Sequence, residues 1–517
     1  MATKYPIGIQ TFSEIVENKM IYVDKTDLIY KMVNGTKYNF LSRPRRFGKS
    51  LLMSTLQAYF EGRKELFKGL FIEKLEKDWT TFPVIHLDLS SGKYYQPEKL
   101  DSTLDLLLSQ YEQRYNIQTK TIDGFGNRLN NIIRCVYSST GKQVVVLIDE
   151  YDAPMLDCIG KKDFQEYIRN TMRDFFSPLK ANESMLRFVF ITGITKFSQL
   201  SIFSELNNIK NYSLDDNFAS ICGFTEQEIS DNFQNDIKEL AEANNITYNQ
   251  AIIKLKEQYD GYHFSENSPN IYNPYSLLNA LYDKKFDNYW FATGTPTFLL
   301  DLLTENNVLL PELENITASK DMFDTPTDYI SDPIPVLYQS GYITIKQYKN
   351  GMYLLGIPNK EVRNGLSQSM LRYLAPKYIM QQGTFAWNFS EAMRKDDIET
   401  AMQSLRIYLA GFPYDIHHSK EAFYQAILYT IFNTLNFTIG AEVKIASGRL
   451  DLVVFTNTSI FVIELKYDKS PEEALQQIEQ KNYIQPYLAD NRKVFAVGIN
   501  FSSKEKTIVE WKYKQVR

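Results

Sequence analysis

The sequence predicts a mixed α/β protein, and three patterns along the chain carry this prediction. Near the start, continuous apolar runs typical of buried parallel strands alternate with segments of helical periodicity. The middle is mainly helical in pattern, and the last part follows the order α-β-β-β-α-β. We therefore expect a doubly wound α/β domain at residues 1–222, a helical region at 223–390, and a smaller α/β domain with its leading helices at 391–517.

The first domain is expected to alternate between strands and helices. Its β-branched run Val144 to Ile148 is typical of a strand that is covered on both faces of a parallel sheet. In order, the expected elements are strand 38–41, helix 51–60, strand 84–89, helix 100–115, strand 144–148 and strand 188–192.

The middle region opens with a helix signal and closes with a hairpin signal. Thr225 to Glu228 form a capping box that starts a helical stretch reaching Tyr259. Later, Asn350-Gly351 separates apolar strands at 342–347 and 352–357, which predicts a β-hairpin. A helix followed by a hairpin fits a winged helix that binds DNA, or equally a structural hairpin that packs a lid onto the first domain. The sequence does not separate these two interpretations.

The last region has the clearest element order. Apolar helices are expected first, then three strands, a helix and a final strand. These elements are helices 391–408 and 421–435, strands 437–445, 450–455 and 460–466, helix 471–488 and strand 494–499.

Composition excludes several classes of protein. The chain has 517 residues, of which 44% are hydrophobic, and its net charge of −5 excludes a chain-wide basic coat while leaving room for a local basic groove. The three cysteines and four histidines lack the spacing of a disulfide framework or a Cys/His zinc site. No signal peptide or membrane-spanning run is recognisable in the sequence, so we expect a cytoplasmic protein without a membrane partner.

The loop at residues 43–50 predicts a nucleotide site. It reads Arg-Pro-Arg-Arg-Phe-Gly-Lys-Ser and matches G-x-x-x-x-G-K-[ST], except that Arg43 replaces the first glycine. Gly48 allows backbone N–H groups to approach phosphates, Lys49 can reach the β- and γ-phosphates, and the Ser50 hydroxyl can hold Mg²⁺. Arg46 and Phe47 complete the predicted ATP-binding loop. The arginines at 45 and 46 fit contact with phosphate, with a neighbouring subunit or with solvent.

A second motif strengthens the prediction of ATP with Mg²⁺. The apolar run 144–148 leads directly into Asp149 and Glu150, so Asp149 can hold the magnesium shell and Glu150 can polarise the attacking water. At the tip of strand 188–192, Thr192 and Thr195 are both candidates for sensing the γ-phosphate, and the sequence does not choose between them.

Acidic residues in the last domain predict a second, metal-dependent site. Glu464 and Lys466 alternate along one strand and so share a face, where Asp451 of the adjoining strand can meet them. Two carboxylates of this kind favour Mg²⁺ or Mn²⁺, and the metal would activate water against a phosphodiester. Lys466 would orient that water or stabilise negative charge. The plain alternative is a salt bridge between Glu464 and Lys466.

Further residues fit this second site less directly. Glu421 opens a helix and can supply a third metal-binding carboxylate. Gln477 can contact metal-bound water or substrate, although Gln476 fits nearly as well and either side chain could simply be solvated. Glu442 faces the same region without an assigned role.

Taken together, the motifs resemble those of bacterial AAA-ATPase-like proteins that carry a C-terminal PD-(D/E)XK nuclease-superfamily domain. The resemblance covers nearly the whole chain and implies an ASCE-type P-loop fold followed by a restriction-endonuclease-like domain. The matching segments are Tyr22 to Thr26, 43–50, Ile148 to Asp152, Leu206 to Asn208, Tyr259 to Tyr262, Tyr272 to Pro274, Gly356 to Asn359 and the Asp451, Glu464, Lys466 set.

These expectations lead to two hypotheses of different classes. The first is an ATPase whose ATP binding drives or gates a metal-dependent nuclease in defence or mobile-element biology, with DNA expected as its substrate rather than RNA. Assembly into a homo-oligomer would fit such gating. The second is an ATP-switched module that binds nucleic acid or a partner through a catalytically silent nuclease fold.

Overall fold

A computed structural model describes residues 3–118, 123–158, 161–196, 208–291, 297–306, 308–324, 332–374, 379–412, 421–445 and 448–517. Leu206 and Asn207, from one of the matching segments, lie outside these ranges. The chain divides into two compact units, the first formed by residues 1–292 with 316–360 and the second by 293–315 with 361–517. Among the helices within the described ranges, none combines the length and apolar character needed to cross a membrane.

The strands and helices are numbered in chain order. The strands are β1 Tyr38–Ser42, β2 Val84–Asp88, β3 Val144–Asp149, β4 Leu186–Gly193, β5 Lys210–Asn211, β6 Ile316–Ala318, β7 Thr344–Lys349, β8 Met352–Gly356, β9 Thr438–Ile445, β10 Gly448–Phe455, β11 Ser459–Tyr467, β12 Lys493–Phe501 and β13 Ile508–Gln515. The helices are α1 Phe12–Glu17, α2 Thr26–Val33, α3 Lys49–Phe60, α4 Phe71–Leu75, α5 Pro97–Arg114, α6 Phe125–Thr140, α7 Ala153–Leu156, α8 Lys162–Phe176, α9 Pro178–Ala181, α10 Glu226–Asn232, α11 Gln234–Ala243, α12 Tyr248–Tyr259, α13 Pro274–Asp283, α14 Thr297–Glu305, α15 Lys320–Phe323, α16 Pro333–Ser340, α17 Lys360–Leu374, α18 Ile379–Arg394, α19 Ile398–Ala410, α20 Glu421–Thr434 and α21 Pro471–Gln480.

The first unit contains a parallel sheet in the order β2-β3-β4-β1-β5. Every residue of β3 is buried, which explains its unbroken apolar run. Strand β4 is inserted between β1, which leads into the loop at 43–50, and β3, which ends in Asp149. This order confirms the predicted P-loop fold and brings the carboxyl ends of the three strands to one edge of the sheet.

The helical region after residue 223 is more divided than expected. The predicted capping box is present, with the Thr225 side chain accepting from the Glu228 backbone N–H. The single helical stretch to Tyr259 is nevertheless three helices, α10 to α12, because the backbone leaves helical geometry at Phe233 and Thr247 begins a new capping box. Such breaks are hard to recognise in the sequence, because the helical periodicity of apolar residues continues on both sides of each break.

The predicted hairpin is present and belongs to a small antiparallel sheet. Asn350 and Gly351 both have positive φ, 53° and 79°, as a two-residue hairpin turn requires. Strand β8 pairs with β7 on one side and with the short β6 on the other, and α16 precedes β7. The helix-then-hairpin order is therefore confirmed, with one additional strand.

The second unit is built on a five-stranded sheet in the order β13-β12-β11-β10-β9. Strands β11 and β12 are parallel and the other neighbours are antiparallel. Helix α20 is buried along residues 423–433 and contacts β9, β10 and β11, while α21 packs on β11 and β12. The predicted α-β-β-β-α-β order is confirmed from α20 to β12.

Three details of the second unit differ from the prediction. The expected helix 391–408 is two helices, because Asp397 caps a new helix by accepting from the Thr400 backbone N–H. The helix from Pro471 ends at Gln480 and not near residue 488. Strand β13 was not predicted, because it is an edge strand whose residues are mostly exposed and polar, so its apolar signal is weak.

Candidate functional site

The loop before α3 has the backbone geometry of an anion-binding turn. Gly48 occupies the N-cap position of α3 with φ of 94°, and Arg46 has φ of 67°. A Cβ atom on Gly48 would meet nothing within 4 Å, so glycine is required by the backbone conformation and not by a lack of space. The turn leads directly into a helix N-terminus, where free N–H groups and the helix dipole favour phosphate.

Lys49 lies inside this turn. Its side chain is 4% exposed, and Nζ donates to the carbonyl oxygens of Arg43 at 3.1 Å and Pro44 at 3.3 Å. Nζ also lies 3.4 Å from Oε1 of Glu150. The loop therefore wraps around the ammonium group, which is positioned between the phosphate-binding turn and the acidic end of β3.

Arg43, which replaces the first P-loop glycine, has a structural role. Its side chain is buried, and Nη1 donates to the Ser213 carbonyl at 2.9 Å while Nη2 donates to the Phe218 carbonyl at 3.2 Å. The guanidinium carbon lies 4.3 Å above the Phe264 ring, and burial lowers the pKa of Arg43 to about 10. Sequence reasoning missed this role, because Ser213 lies 170 residues away along the chain.

Arg46 and Phe47 are placed very differently from each other. Phe47 is 1% exposed and packs edge-on against Tyr262 and Phe264, with ring centroids 4.8 and 5.3 Å away. Its buried side chain therefore anchors the loop and is not available to contact a nucleotide. Arg46 is exposed, with its guanidinium carbon 4.8 Å above the Tyr275 ring.

Asp149 and Ser50 form the oxygen-rich part of the site. Asp149 is 3% exposed and lies beside the Ser50 side chain. Burial raises the pKa of Asp149 to about 6; Glu150 and Asp88 add to this effect, while Ser50 and Lys49 oppose it. A buried carboxylate beside a hydroxyl, surrounded by further negative charge, fits Mg²⁺.

Glu150 and the two threonine candidates complete the edge of the sheet. Glu150 has φ of 49° and its N–H donates to Oδ1 of Asp149 at 2.9 Å. The Thr192 hydroxyl donates to the Leu41 carbonyl at 2.7 Å, and the Thr195 hydroxyl donates to Oδ2 of Asp152 at 2.7 Å. Each threonine hydroxyl hydrogen is thus used within the protein, the first between β4 and β1 and the second at the end of β3.

In the second unit, the sheet brings Asp451, Glu464 and Lys466 together. Oδ2 of Asp451 accepts from the Leu465 backbone N–H at 2.8 Å, which ties β10 to β11 at the acidic pair. Nζ of Lys466 lies 3.3 Å from Oε1 of Glu464 and donates to the Leu465 carbonyl at 2.9 Å. Glu464 and Lys466 are only 1% and 6% exposed, so both charges are held in the interior.

The electrostatics of this pair suit a divalent cation. Burial raises the pKa of Glu464 to about 7, with the Asp451 charge adding to the effect and Lys466 opposing it. Burial also raises the pKa of Asp451 to about 6, and the charges of Glu421 and Glu442 add to it. Oε2 of Glu464 is buried and has no hydrogen-bond partner within the described ranges. An unpartnered buried oxygen beside a second carboxylate fits Mg²⁺ or Mn²⁺.

The acidic side chains that the structure describes in the second unit do not form a metal-binding cluster of three. In the described ranges, no three His, Cys, Asp or Glu side chains come close enough together to hold a metal ion. Glu421, predicted as a third carboxylate, lies at the start of α20 and acts on Asp451 through its charge. The protein therefore offers a pair, Asp451 and Glu464, as the candidate metal ligands.

Two glutamines support the pair from neighbouring helices. Gln477 on α21 donates to Oε1 of Glu464, whereas the competing Gln476 is exposed. Gln425 on α20 donates to the Asp451 backbone carbonyl at 2.9 Å, a contact that sequence reasoning missed because the strongly apolar pattern of α20 predicts a core helix. Glu442 contacts Arg449 on the adjacent strand.

Comparison with known proteins gives matches to both parts of the chain. Residues 6–203 match the family model described as predicted AAA-ATPase, and residues 419–511 match the model described as PD-(D/E)XK nuclease superfamily. An uncharacterized protein in the vnfD 5′ region of Azotobacter chroococcum mcd 1 is 32% identical over 521 residues, covering 98% of each chain.

Solved structures show weaker similarity. The ORC1 protein of Aeropyrum pernix, solved in complex with DNA, matches with a TM-score of 0.25 and 11% identity over 67% of this chain and 93% of that chain. The ORC2 protein of the same organism, in ADPNP and ADP complexes, matches with a TM-score of 0.19 and 11% identity over 69% and 93% of the two chains. Scores of this size indicate no more than a distant likeness.

Proposed function

Because this chain belongs to the family of predicted AAA-ATPases that carry a C-terminal PD-(D/E)XK nuclease-superfamily domain, we propose that it is an ATP-gated, divalent-metal-dependent nuclease acting on DNA. The chain combines an AAA-ATPase-like part and a nuclease-superfamily part. Beyond these two parts, we propose the two activities, their coupling and the substrate.

The ATPase half of the proposal is supported by the arrangement at the edge of the parallel sheet. Lys49 would bind the β- and γ-phosphates, and Ser50 with Asp149 would hold Mg²⁺. Glu150 would accept a proton from the attacking water; its place directly after the buried end of β3 and its 20% exposed side chain support this role. The exposed Arg46 can add positive charge near the phosphates.

The nuclease half is carried by one observation, the buried and unpartnered Oε2 of Glu464 beside Asp451. Asp451 and Glu464 would hold Mg²⁺ or Mn²⁺, which when bound would polarise a phosphodiester and lower the pKa of a water molecule. Lys466 would stabilise the negative charge that develops on the phosphate. Gln477 would keep the Glu464 carboxylate in one orientation through its hydrogen bond to Oε1.

A second candidate function is an ATP-switched module that binds nucleic acid or a partner and has no nuclease activity. One observation favours it: Lys466 is already paired with Glu464, as in a simple buried salt bridge. The unpartnered Oε2 argues against it, because a salt bridge alone does not require a buried oxygen without a donor.

Cleavage assays separate these functions. We would incubate the purified protein with supercoiled, linear and single-stranded DNA and with RNA, in Mg²⁺ or Mn²⁺, with and without ATP. Wild type would be compared with Glu464→Gln, Asp451→Asn and Lys49→Ala. The matched control is Glu472→Gln, which removes an exposed carboxylate of α21 that pairs with Lys512.

The expected result is metal-dependent DNA cleavage that is lost in Glu464→Gln and Asp451→Asn, retained in Glu472→Gln, and insensitive to ATP in Lys49→Ala. Cleavage that persists in both carboxylate variants would exclude this site as its source. ATP hydrolysis without cleavage of any substrate would support the ATP-switched binding module instead.

A further inference from the structure

Asp152 is a buried carboxylate that the ATPase scheme does not use. It lies two residues after Glu150, at the N-cap position of α7, and its side chain is fully buried. An aspartate at this position usually caps its own helix, but Asp152 makes no capping bond. Its carboxylate is therefore directed to another part of the protein.

That other part is the segment following β4. Oδ2 of Asp152 accepts three hydrogen bonds, from the backbone N–H groups of Ile194 at 2.9 Å and Thr195 at 2.6 Å, and from the Thr195 hydroxyl at 2.7 Å. Three donors on one buried charged oxygen make a strong connection, because hydrogen bonds to a charged group are stronger than neutral ones. The connection joins the acidic end of β3 to the segment 193–196.

Gly193 makes this approach possible. A Cβ atom at residue 193 would lie 2.4 Å from Oδ1 of Asp152, which is too close for any other residue. Oδ1 is itself buried and without a hydrogen-bond partner within the described ranges. Retaining a charged group with one unpartnered oxygen is unfavourable for stability, which points to a role other than packing.

Asp152 also lies within electrostatic reach of the residues expected to act on ATP. The charge of Glu150 raises the pKa of Asp152 and that of Lys49 lowers it, although burial has the largest effect. On the far side, the Lys196 backbone N–H donates to Oε1 of Gln339 on α16 at 2.6 Å. The Lys196 ammonium lies 2.9 Å from Oδ2 of Asp324. The segment 193–196 therefore contacts the end of β3 on one side and the α15–α16 region on the other.

We propose that Asp152 is a positioning residue of the ATPase site, which fixes Glu150 and the Gly193–Lys196 segment relative to each other and passes the nucleotide state to α16 through Lys196. This inference rests on the proposed ATP hydrolysis. In this role Asp152 would act through its contacts with the protein and not by touching the nucleotide. Thr195 acts through Asp152, so the two residues form one functional unit.

The experiment compares ATP binding and turnover in Asp152→Ala, Thr195→Val, the double variant and Thr195→Ser. The matched control is Thr430→Val, which removes another buried threonine hydroxyl that donates only to a backbone carbonyl, that of Ala426. ATP affinity is measured by calorimetry and turnover by phosphate release. Thermal unfolding checks that each variant is folded, and Thr195→Val serves if Asp152→Ala does not fold.

A positioning role predicts that kcat falls by about 10- to 100-fold in Asp152→Ala, while the Kd for ATP changes by less than about threefold. The kcat of Thr195→Val should fall as well, and Thr195→Ser should restore it. The double variant should be no slower than Asp152→Ala, because both residues act through one contact. Hydrogen exchange of a peptide covering 333–340 should differ between ATP and ADP in wild type and lose that difference in Asp152→Ala.

Wild-type turnover in both single variants would overturn the role of Asp152 and leave the ATPase function standing. A reduction in kcat in the double variant equal to the product of the two single-variant reductions would also overturn it, because it would show that Thr195 acts independently of Asp152. An absence of ATP hydrolysis in the wild type would instead overturn the proposed ATPase function, and this role with it.

Discussion

Nζ of Lys49 lies 3.4 Å from Oε1 of Glu150, so the residue expected to bind the ATP phosphates is ion-paired with the carboxylate expected to activate water. The pair is largely shielded from solvent, with side chains 4% and 20% exposed. Phosphates bound at Lys49 would therefore compete with Glu150 for one ammonium group. Binding of ATP would release Glu150 from its partner at the moment when the carboxylate is needed as a base.

Replacing Lys49 by Ala should weaken ATP binding by about 10- to 100-fold, since a charge-assisted contact contributes about 1.5–3 kcal/mol. Calorimetric titration with ATP and Mg²⁺ measures this. The control is Lys256→Ala, which removes an exposed lysine paired with Glu226 and should bind ATP like the wild type. Unchanged affinity in Lys49→Ala would show that the loop does not bind the phosphates.

Replacing Glu150 by Gln should lower the rate of ATP hydrolysis by about 100- to 10,000-fold, because the amide cannot accept the proton of the attacking water. ATP affinity should be equal or higher, because Lys49 no longer has a competing carboxylate. Phosphate release and equilibrium binding measure the two quantities separately. Glu183→Gln, which changes an exposed glutamate paired with Lys37, is the control. A parallel loss of binding and turnover would contradict the role of a base.

Replacing Arg43 by Gly would restore the first glycine of the P-loop pattern, yet it should destabilise the protein by about 3 kcal/mol or more. The reason is that the buried carbonyls of Ser213 and Phe218 would lose their donor. Chemical denaturation followed by tryptophan fluorescence measures the shift in midpoint. Arg45→Gly, an exposed arginine of the same loop, should shift it little. Equal midpoints for the two variants would show that the buried contacts of Arg43 contribute nothing.

Replacing Gln477 by Ala should weaken binding of Mn²⁺ to the second unit by about 10- to 100-fold, the range typical when a partner of a metal-binding carboxylate is removed. The adjacent Gln476→Ala is a matched control, because its side chain is exposed while Gln477 donates to Glu464. Calorimetric titration with Mn²⁺ measures both variants. The same loss in both, or in neither, would contradict the placement of the metal beside Glu464.

The stability of the first unit should depend on pH through Asp260. Burial raises the pKa of Asp260 to about 6, and the residue is 2% exposed. Because the folded pKa lies above the unfolded value of about 3.9, the stabilising effect of the protonated form is complete below pH 3.9 and is lost as pH rises through 6. Asp260→Asn should therefore gain stability relative to wild type between pH 4 and 7, by up to about 3 kcal/mol.

Denaturation midpoints at pH 4, 5.5 and 7 test this prediction. The exposed Asp283→Asn is the control for a general change in charge. A difference between Asp260→Asn and wild type that is constant over this pH range would mean that Asp260 titrates alike in the folded and unfolded states.

Patterns that are local in sequence were predictable. The continuous run of β3, the loop from Arg43 to Ser50 and the hairpin at Asn350-Gly351 each rest on neighbouring residues, whose periodicity and turn chemistry act over a few positions. The same holds for the face shared by Glu464 and Lys466, because side chains alternate along any strand. For this reason the two candidate sites could be located from the residues alone.

Tertiary structure decided which of several local candidates meet a distant partner. The sequence by itself determined the α/β architecture, the P-loop, the acidic end of β3 and the Asp451, Glu464 and Lys466 set. Only the fold brought Arg43 into contact with Ser213, Gln477 and not Gln476 into contact with Glu464, and Asp152 into contact with Thr195. The physical reason is that a buried polar side chain must find its hydrogen-bond partner across the core, and that partner is set by packing between elements that lie far apart along the chain.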